Sequence, residues 1–171
     1  MQPFLSLFDY LLKARARLLD WIRPLSAEEY FREFPYGLKT IHATLLHVAG
    51  AEWAYGRRLQ GQQVSFTDNP FIAEKVLTFA QLEPAWTALS SETRLALSQI
   101  TDWNAGVEYR MTPPNAPPVR IRTTRQGVAS QLILHEVHHR ALVMSMLRQL
   151  GVAAQNLDYS ALMFDREQEV A

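Results

Sequence analysis

Leu132-Ile-Leu-His-Glu-Val-His-His-Arg140 sets two histidines, His135 and His139, four residues apart in what reads as one face of a long helix. That face runs Val128, Leu132, His135, His139, Leu142, Met146 and Leu150, stepping by three or four residues as a buried stripe must. Imidazoles therefore stand where a core expects apolar side chains. Residues at i and i+4 lie above one another, so two rings converge on one ion when a third ligand comes from elsewhere. The chain holds five histidines, and His47 is the natural third.

Working outward, the same periodicity predicts three further long helices. Segment 3–23 carries Phe4, Leu5, Phe8, Leu11, Leu12, Leu18 and Leu19 on a broad face and stops at Pro24. Ser26 and Glu29 have capping-box spacing, which predicts a short turn of helix through Tyr30. Thr40 is placed to cap a helix reaching Leu59, with Gly61 as its stop. A third helix falls within about 78–100, its start blurred by Pro84. Val107–Met111 and Val119–Arg122 alternate like strands around the Pro-rich turn 112–118, predicting a small hairpin or extended crossover. Thr123 or Thr124 then caps the histidine helix, which ends at Leu150-Gly151, and a short helix is expected near Tyr159 to Phe164. The expected fold is all-α: a single-domain four-helix bundle over 1–171 with a long, partly extended crossover before the last helix.

Composition narrows the chemistry. At 171 residues and 48% hydrophobic, the chain suffices for one sizeable core. Lys plus Arg equal Asp plus Glu at 17 each, so no bulk charge supports a grip on nucleic acid or an anionic membrane. Without cysteine there are no disulfides, thiolate ligands or cysteine nucleophiles, and any thiol in the chemistry arrives with a substrate or cofactor. The apolar N-terminal stretch is interrupted by Asp9, Lys13, Arg15 and Arg17, unlike a signal peptide or membrane span. A cytoplasmic protein is expected.

His47 has Ala43, Thr44, Gly50 and Ala51 as helical neighbours, small side chains that leave space for an ion or ligand. Three neutral imidazoles from two facing helices suit zinc, nickel or another late divalent metal, with positions left open. The competing reading is a set of core histidines hydrogen-bonded to backbone carbonyls, although two buried together need separate polar partners. His138 falls off the stripe and His42 lies near the start of its helix, so each is read as a rim residue or one that supports the ligands, and neither as a ligand. His135-Glu136-x-x-His139 also has the H-E-x-x-H form of zinc peptidases, with Glu136 as general base. The metzincin extension needs glycine at 142 and histidine at 145, where Leu142 and Ser145 stand. Asp158, Asp165 and Glu167 remain as downstream carboxylates. Glu136 lies about 100° around the helix from His135, so an exposed surface glutamate is the other reading.

The order of these parts resembles the DinB/YfiT-like superfamily across nearly the whole chain. Leu45-Leu-His47-Val-Ala-Gly-Ala-Glu-Trp53 is similar to its second-helix motif. His135-Glu-Val-His-His139-Arg-Ala-Leu followed by Leu147-Arg-Gln-Leu-Gly151 is similar to its H-x-x-H-H-R-G-Q and L-R-x-L-G signature, and Asn156-Leu-Asp-Tyr-Ser to its C-terminal ending. The resemblance maps His47, His135 and His139 onto the family's metal triad. Ala141-Leu142 departs from the usual Gly-Gln, and a glutamate follows His135. Some members are thiol-dependent transferases or isomerases using mycothiol, bacillithiol or glutathione, many have no known activity, and homodimers are common.

The leading expectation is thus a metal-dependent enzyme, a low-molecular-weight-thiol-dependent S-transferase acting on a small molecule, with no nucleic-acid or membrane partner. Trp53 and Arg140 are candidate substrate-binding residues, and Arg57 and Arg58 offer further cations for a thiol's carboxylates, with solvated surface arginines as the equal alternative for all three. The alternatives are a metal-dependent hydrolase using Glu136 and a non-enzymatic metal-binding stress-response protein. Trp21, Trp86 and Trp103 are read as ordinary core aromatics or pocket walls.

Overall fold

A computed structural model describes residues 3–76, 78–112 and 116–167. Four long helices dominate: α1 (Pro3–Ile22), α3 (Ile41–Leu59), α4 (Phe79–Ser98) and α5 (Arg125–Gln149), with short α2 (Ala27–Phe31) and α6 (Tyr159–Met163). Helix α1 packs on α4 and α5, and α3 packs on the same two, so α1 and α3 stand diagonally across a four-helix bundle. Strands β1 (Gly106–Met111) and β2 (Val119–Thr124) form the antiparallel hairpin before α5, with Tyr109 opposite Ile121. Pro113 to Asn115, within the expected Pro-rich turn, lie outside the described residues.

Local sequence accounts for the boundaries. The Ser26–Glu29 capping box forms at α2, and Thr40 accepts from the Ala43 amide at the start of α3. Gly61 follows α3 at a φ of 76°, the left-handed conformation that stops a helix cheaply only at glycine. Helix α4 starts at Thr78 with its own capping box to Gln81 and keeps Pro84 inside its second turn; the cap, not the proline, sets the start. Thr124 caps α5, and the next two amides donate to Ala105 and Trp103 carbonyls at 3.0 and 2.9 Å. The hairpin's entry thereby supplies acceptors for orphan donors of the histidine helix. Among the described residues, no helix is long and apolar enough to cross a membrane.

The core differs from the apolar stripe in one respect. Helix α5 buries Val128, Leu132, Glu136, Arg140, Val143 and Leu147, while His135 and His139 sit half-buried on its flank. Helix α1 buries Phe8, Leu11, Arg15, Leu18 and Ile22. Charged residues thus occupy core positions on both helices, and Glu136 is not the exposed glutamate considered above: 4% of its surface is accessible.

These charges meet at the bundle's centre. Arg15 Nε donates to Glu136 Oε1 at 3.1 Å, its Nη2 to Glu136 Oε2 and to Glu52 Oε2 at 2.6 Å, and its Nη1 to the Ser90 hydroxyl. Trp86 Nε1 donates to Glu52 at 2.7 Å, and the guanidinium stacks 4.1 Å from the Trp86 ring. Burial weighs against the charge on Arg15, but Glu136 and Glu52 more than offset it and hold the guanidinium above its usual pKa. Burial raises Glu52; Arg15 pulls it down and Glu136 pushes it up again, leaving it above the usual carboxylate range. One cation serving two carboxylates gives that order. Removing one partner from such a group leaves uncompensated charge in the core. Arg15→Met is therefore expected to cost about 3–5 kcal/mol in denaturant unfolding. Adding Glu52→Gln and Glu136→Gln to that variant should recover much of the loss; an Arg15→Met protein as stable as the parent would refute the role.

Candidate metal centre and adjoining cavity

The outward phase of α5 points His135 and His139 at α3, where His47 meets them. The ring centroids are 4.8 Å apart for His47 and His135, 4.7 Å for His47 and His139, and 4.5 Å for His135 and His139. One ligand atom from each ring lies within 4.8 Å of the others. His47 Nε2 and His135 Nε2 approach to 2.9 Å. These three form a group with metal-ligand geometry among the described residues, and no Asp or Glu joins it.

Electrostatics prepare the rings for a cation. Burial, then the neighbouring imidazoles, lower His135 to about 4; His139 falls to about 4 for the same reasons. His47 is the most exposed of the three, yet packing on one side still lowers it. All three are then neutral near pH 7, the form that binds metal. Among the described residues none of them bonds a backbone carbonyl, and His139 Nδ1 is buried without a partner. Hydrogen-bonded core histidines would show the opposite. The residues present fit a divalent ion.

A cavity of about 580 Å³ opens beside His47, within the usual size range of small-molecule sites. Leu46, Trp53 and Tyr55 wall it from α3, Val64, Phe71 and Ile72 from the α3–α4 loop, and Arg110 and Met111 from the hairpin. The space beside Gly50 is taken by the loop: a Cβ there would lie 2.5 Å from Asn69 Nδ2. Asn69 in turn accepts from the Phe71 amide at 2.9 Å, so Gly50 lets the loop close on the helix as a wall.

The sequence candidates separate by direction. Trp53 lines the cavity next to His47. Arg140 is buried against α1, where it donates to the Tyr10 hydroxyl and stands 5.0 Å from that ring. Glu136 gives both carboxylate oxygens to Arg15. Arg57 leans on Trp53 at 5.3 Å and donates to Gln62, whereas Arg58 faces the cavity. His138 is exposed beside the His139 ring, and His42 is buried between Tyr30 and Phe31, not at the rim. Trp86 is core; Trp21 and Trp103 pack at its edge. Periodicity missed the Arg15 cluster because it counts apolar residues. The signal available was three complementary charges, Arg15, Glu52 and Glu136, each on an otherwise apolar helix face.

Two proteins of known sequence resemble the chain over most of their length. The chain is 26% identical over 165 residues to the uncharacterized protein YizA of Bacillus subtilis (strain 168), covering 91% of this chain and 89% of that protein. It is 23% identical over 172 residues to protein DinB of the same organism, covering 97% and 96%. The DinB family matches residues 1–170, and the chain belongs to it.

Proposed function

We propose that the protein is a metal-dependent transferase in which His47, His135 and His139 hold a divalent ion, zinc or nickel, and a low-molecular-weight thiol is delivered to an electrophile in the cavity beside His47. The observation that carries this reading is the convergence of three neutral imidazoles, with no carboxylate ligand, at the edge of a cavity sized for a small molecule. Three protein ligands leave coordination positions free, as catalytic sites do and closed structural sites do not. When bound, such an ion supplies Lewis acidity, lowering the pKa of a thiol that takes an open position.

The chain's own residues divide the remaining work. His135 and His139 are fixed by one helix and His47 by another, so the donor set depends on the α3–α5 packing. Trp53, Phe71 and Ile72 present apolar surface to the substrate and reduce the access of water. The thiol is external because the chain has no cysteine. The hydrolytic alternative through Glu136 finds less support, since that carboxylate is turned into the core and paired with Arg15.

Protein prepared without a histidine tag is expected to carry close to one zinc or nickel per chain by elemental analysis. His47→Ala and His135→Ala should each lose it; protein that takes up neither metal would end the proposal. The histidines also set a pH dependence in the metal-free form. Their folded pKa lies near 4 for His135 and His139 against an ordinary 6.5, so the unfolded chain takes up protons first. This contribution to stability is complete above about pH 6.5 and is lost as pH falls towards 4. Unfolding midpoints measured across that window should drop less in a His135→Ala, His139→Ala double variant than in the parent. Equal drops would show that other groups carry the acid sensitivity.

A further inference from the structure

Two arginines line the cavity, Arg110 from the hairpin and Arg58 from α3, and the surroundings of Arg58 are unlike those of a solvated surface arginine. Its guanidinium carbon lies 4.0 Å from the Tyr109 ring of the hairpin and 5.5 Å from the Tyr55 ring of α3. Its Nε is buried and unpartnered. Among the described residues it forms no ion pair, although the hairpin's Glu108 pairs with both Arg120 and Arg122 nearby. An arginine packed against aromatic rings loses little further side-chain entropy on binding and still presents donors of its fork. Tyr55 also reaches the other way: its ring is 6.2 Å from that of His135. The triad and the arginine therefore flank one tyrosine.

We infer that Arg58 is a carboxylate anchor, and that the cavity takes an amphipathic acid whose apolar body lies along Trp53, Tyr55, Phe71 and Ile72 with its far end at the histidines. The inference deepens the proposed function by naming a substrate class for the same site, and it rests on that reading only for what happens at the histidine end. A planar carboxylate matches the guanidinium fork through two parallel hydrogen bonds. The apolar walls supply affinity without direction, so the acid sets which end faces the triad. The hairpin then belongs to the site, because Tyr109 holds Arg58 from the side opposite α3.

The test is calorimetric binding of 4-phenylbutyrate and its neutral amide, 4-phenylbutyramide, to the full chain. It is run as purified, after chelator treatment, and in Arg58→Met. The acid is expected to bind about tenfold more tightly than the amide, with and without chelator, and the preference should vanish in Arg58→Met. Acid and amide binding alike to the parent would overturn the inference, and this comparison needs no variant to fold. A preference that disappears with chelator but survives in Arg58→Met would place the acid on the ion and also overturn it, leaving the metal reading intact. A preference that depends on Arg58 in protein unable to hold zinc or nickel would keep the anchor while the metal reading falls.

Discussion

The guanidinium of Arg15 binds the bundle together electrostatically: from α1 it reaches Glu136 on α5, Glu52 on α3 and Ser90 on α4. Such a group adds little net stability over a well-packed apolar core, because desolvating three charges costs about what their attraction returns. What it adds is direction. Hydrophobic side chains tolerate a helix rotated by a fraction of a turn, whereas a carboxylate displaced from the buried cation it pairs with does not. With Glu136 and Arg140 turned inward, the 100° step of the helix carries His135 and His139 to the same flank, opposite His47. The histidine cluster is in this sense indexed by the charges behind it.

Much of the fold was legible because its punctuation is local. Ser26, Thr40 and Thr124 each accept a backbone amide three residues on, an interaction that depends on neighbours in sequence, and Gly61 needs only its own φ. The hairpin showed as alternation and the histidine triad as an i, i+4 pair plus a histidine among small residues. The phase of α5 was not legible from apolar periodicity. Apolar stepping rightly put Val128, Leu132 and Met146 on the buried line but ran it through His135, His139 and Leu142 between them; the buried line there is Glu136, Arg140 and Val143. The two lines differ by one residue, about 100° of rotation. What decides between them is a long-range partner, Arg15, which a local pattern cannot contain. Arg140 likewise takes a partner distant in sequence: it donates to Tyr10, 130 positions away.

The cavity was less legible still, since three separate segments build it. Asn69 packs where Gly50 has no side chain, and its own hydrogen bond to the Phe71 amide shapes the loop carrying Phe71 and Ile72. The hairpin brings Tyr109 against Arg58. Burial pushes the Tyr109 hydroxyl up, Arg58 pulls it down and Tyr55 raises it again, with a raised pKa as the outcome; the ring thus stays uncharged beside the cation near neutral pH. A connection that reads in sequence as a crossover between helices thereby becomes a wall of the site.

The separation of these two polar groups bears on what an ion at the histidines would do. If the three imidazoles held the bundle closed, they would be expected where all four helices meet, with no solvent path. Arg15 occupies that position instead. The triad spans only α3 and α5, at their edge, with His47 exposed and a cavity adjoining it. A structural ion gains from burial and a full ligand set, whereas a reactive one needs a free position and a route to it. With bundle geometry fixed elsewhere by the Arg15 group and the apolar core, an ion held at the histidines could exchange ligands without dismantling the fold. Stability and ligand access are thus assigned to different faces of α5, one residue apart.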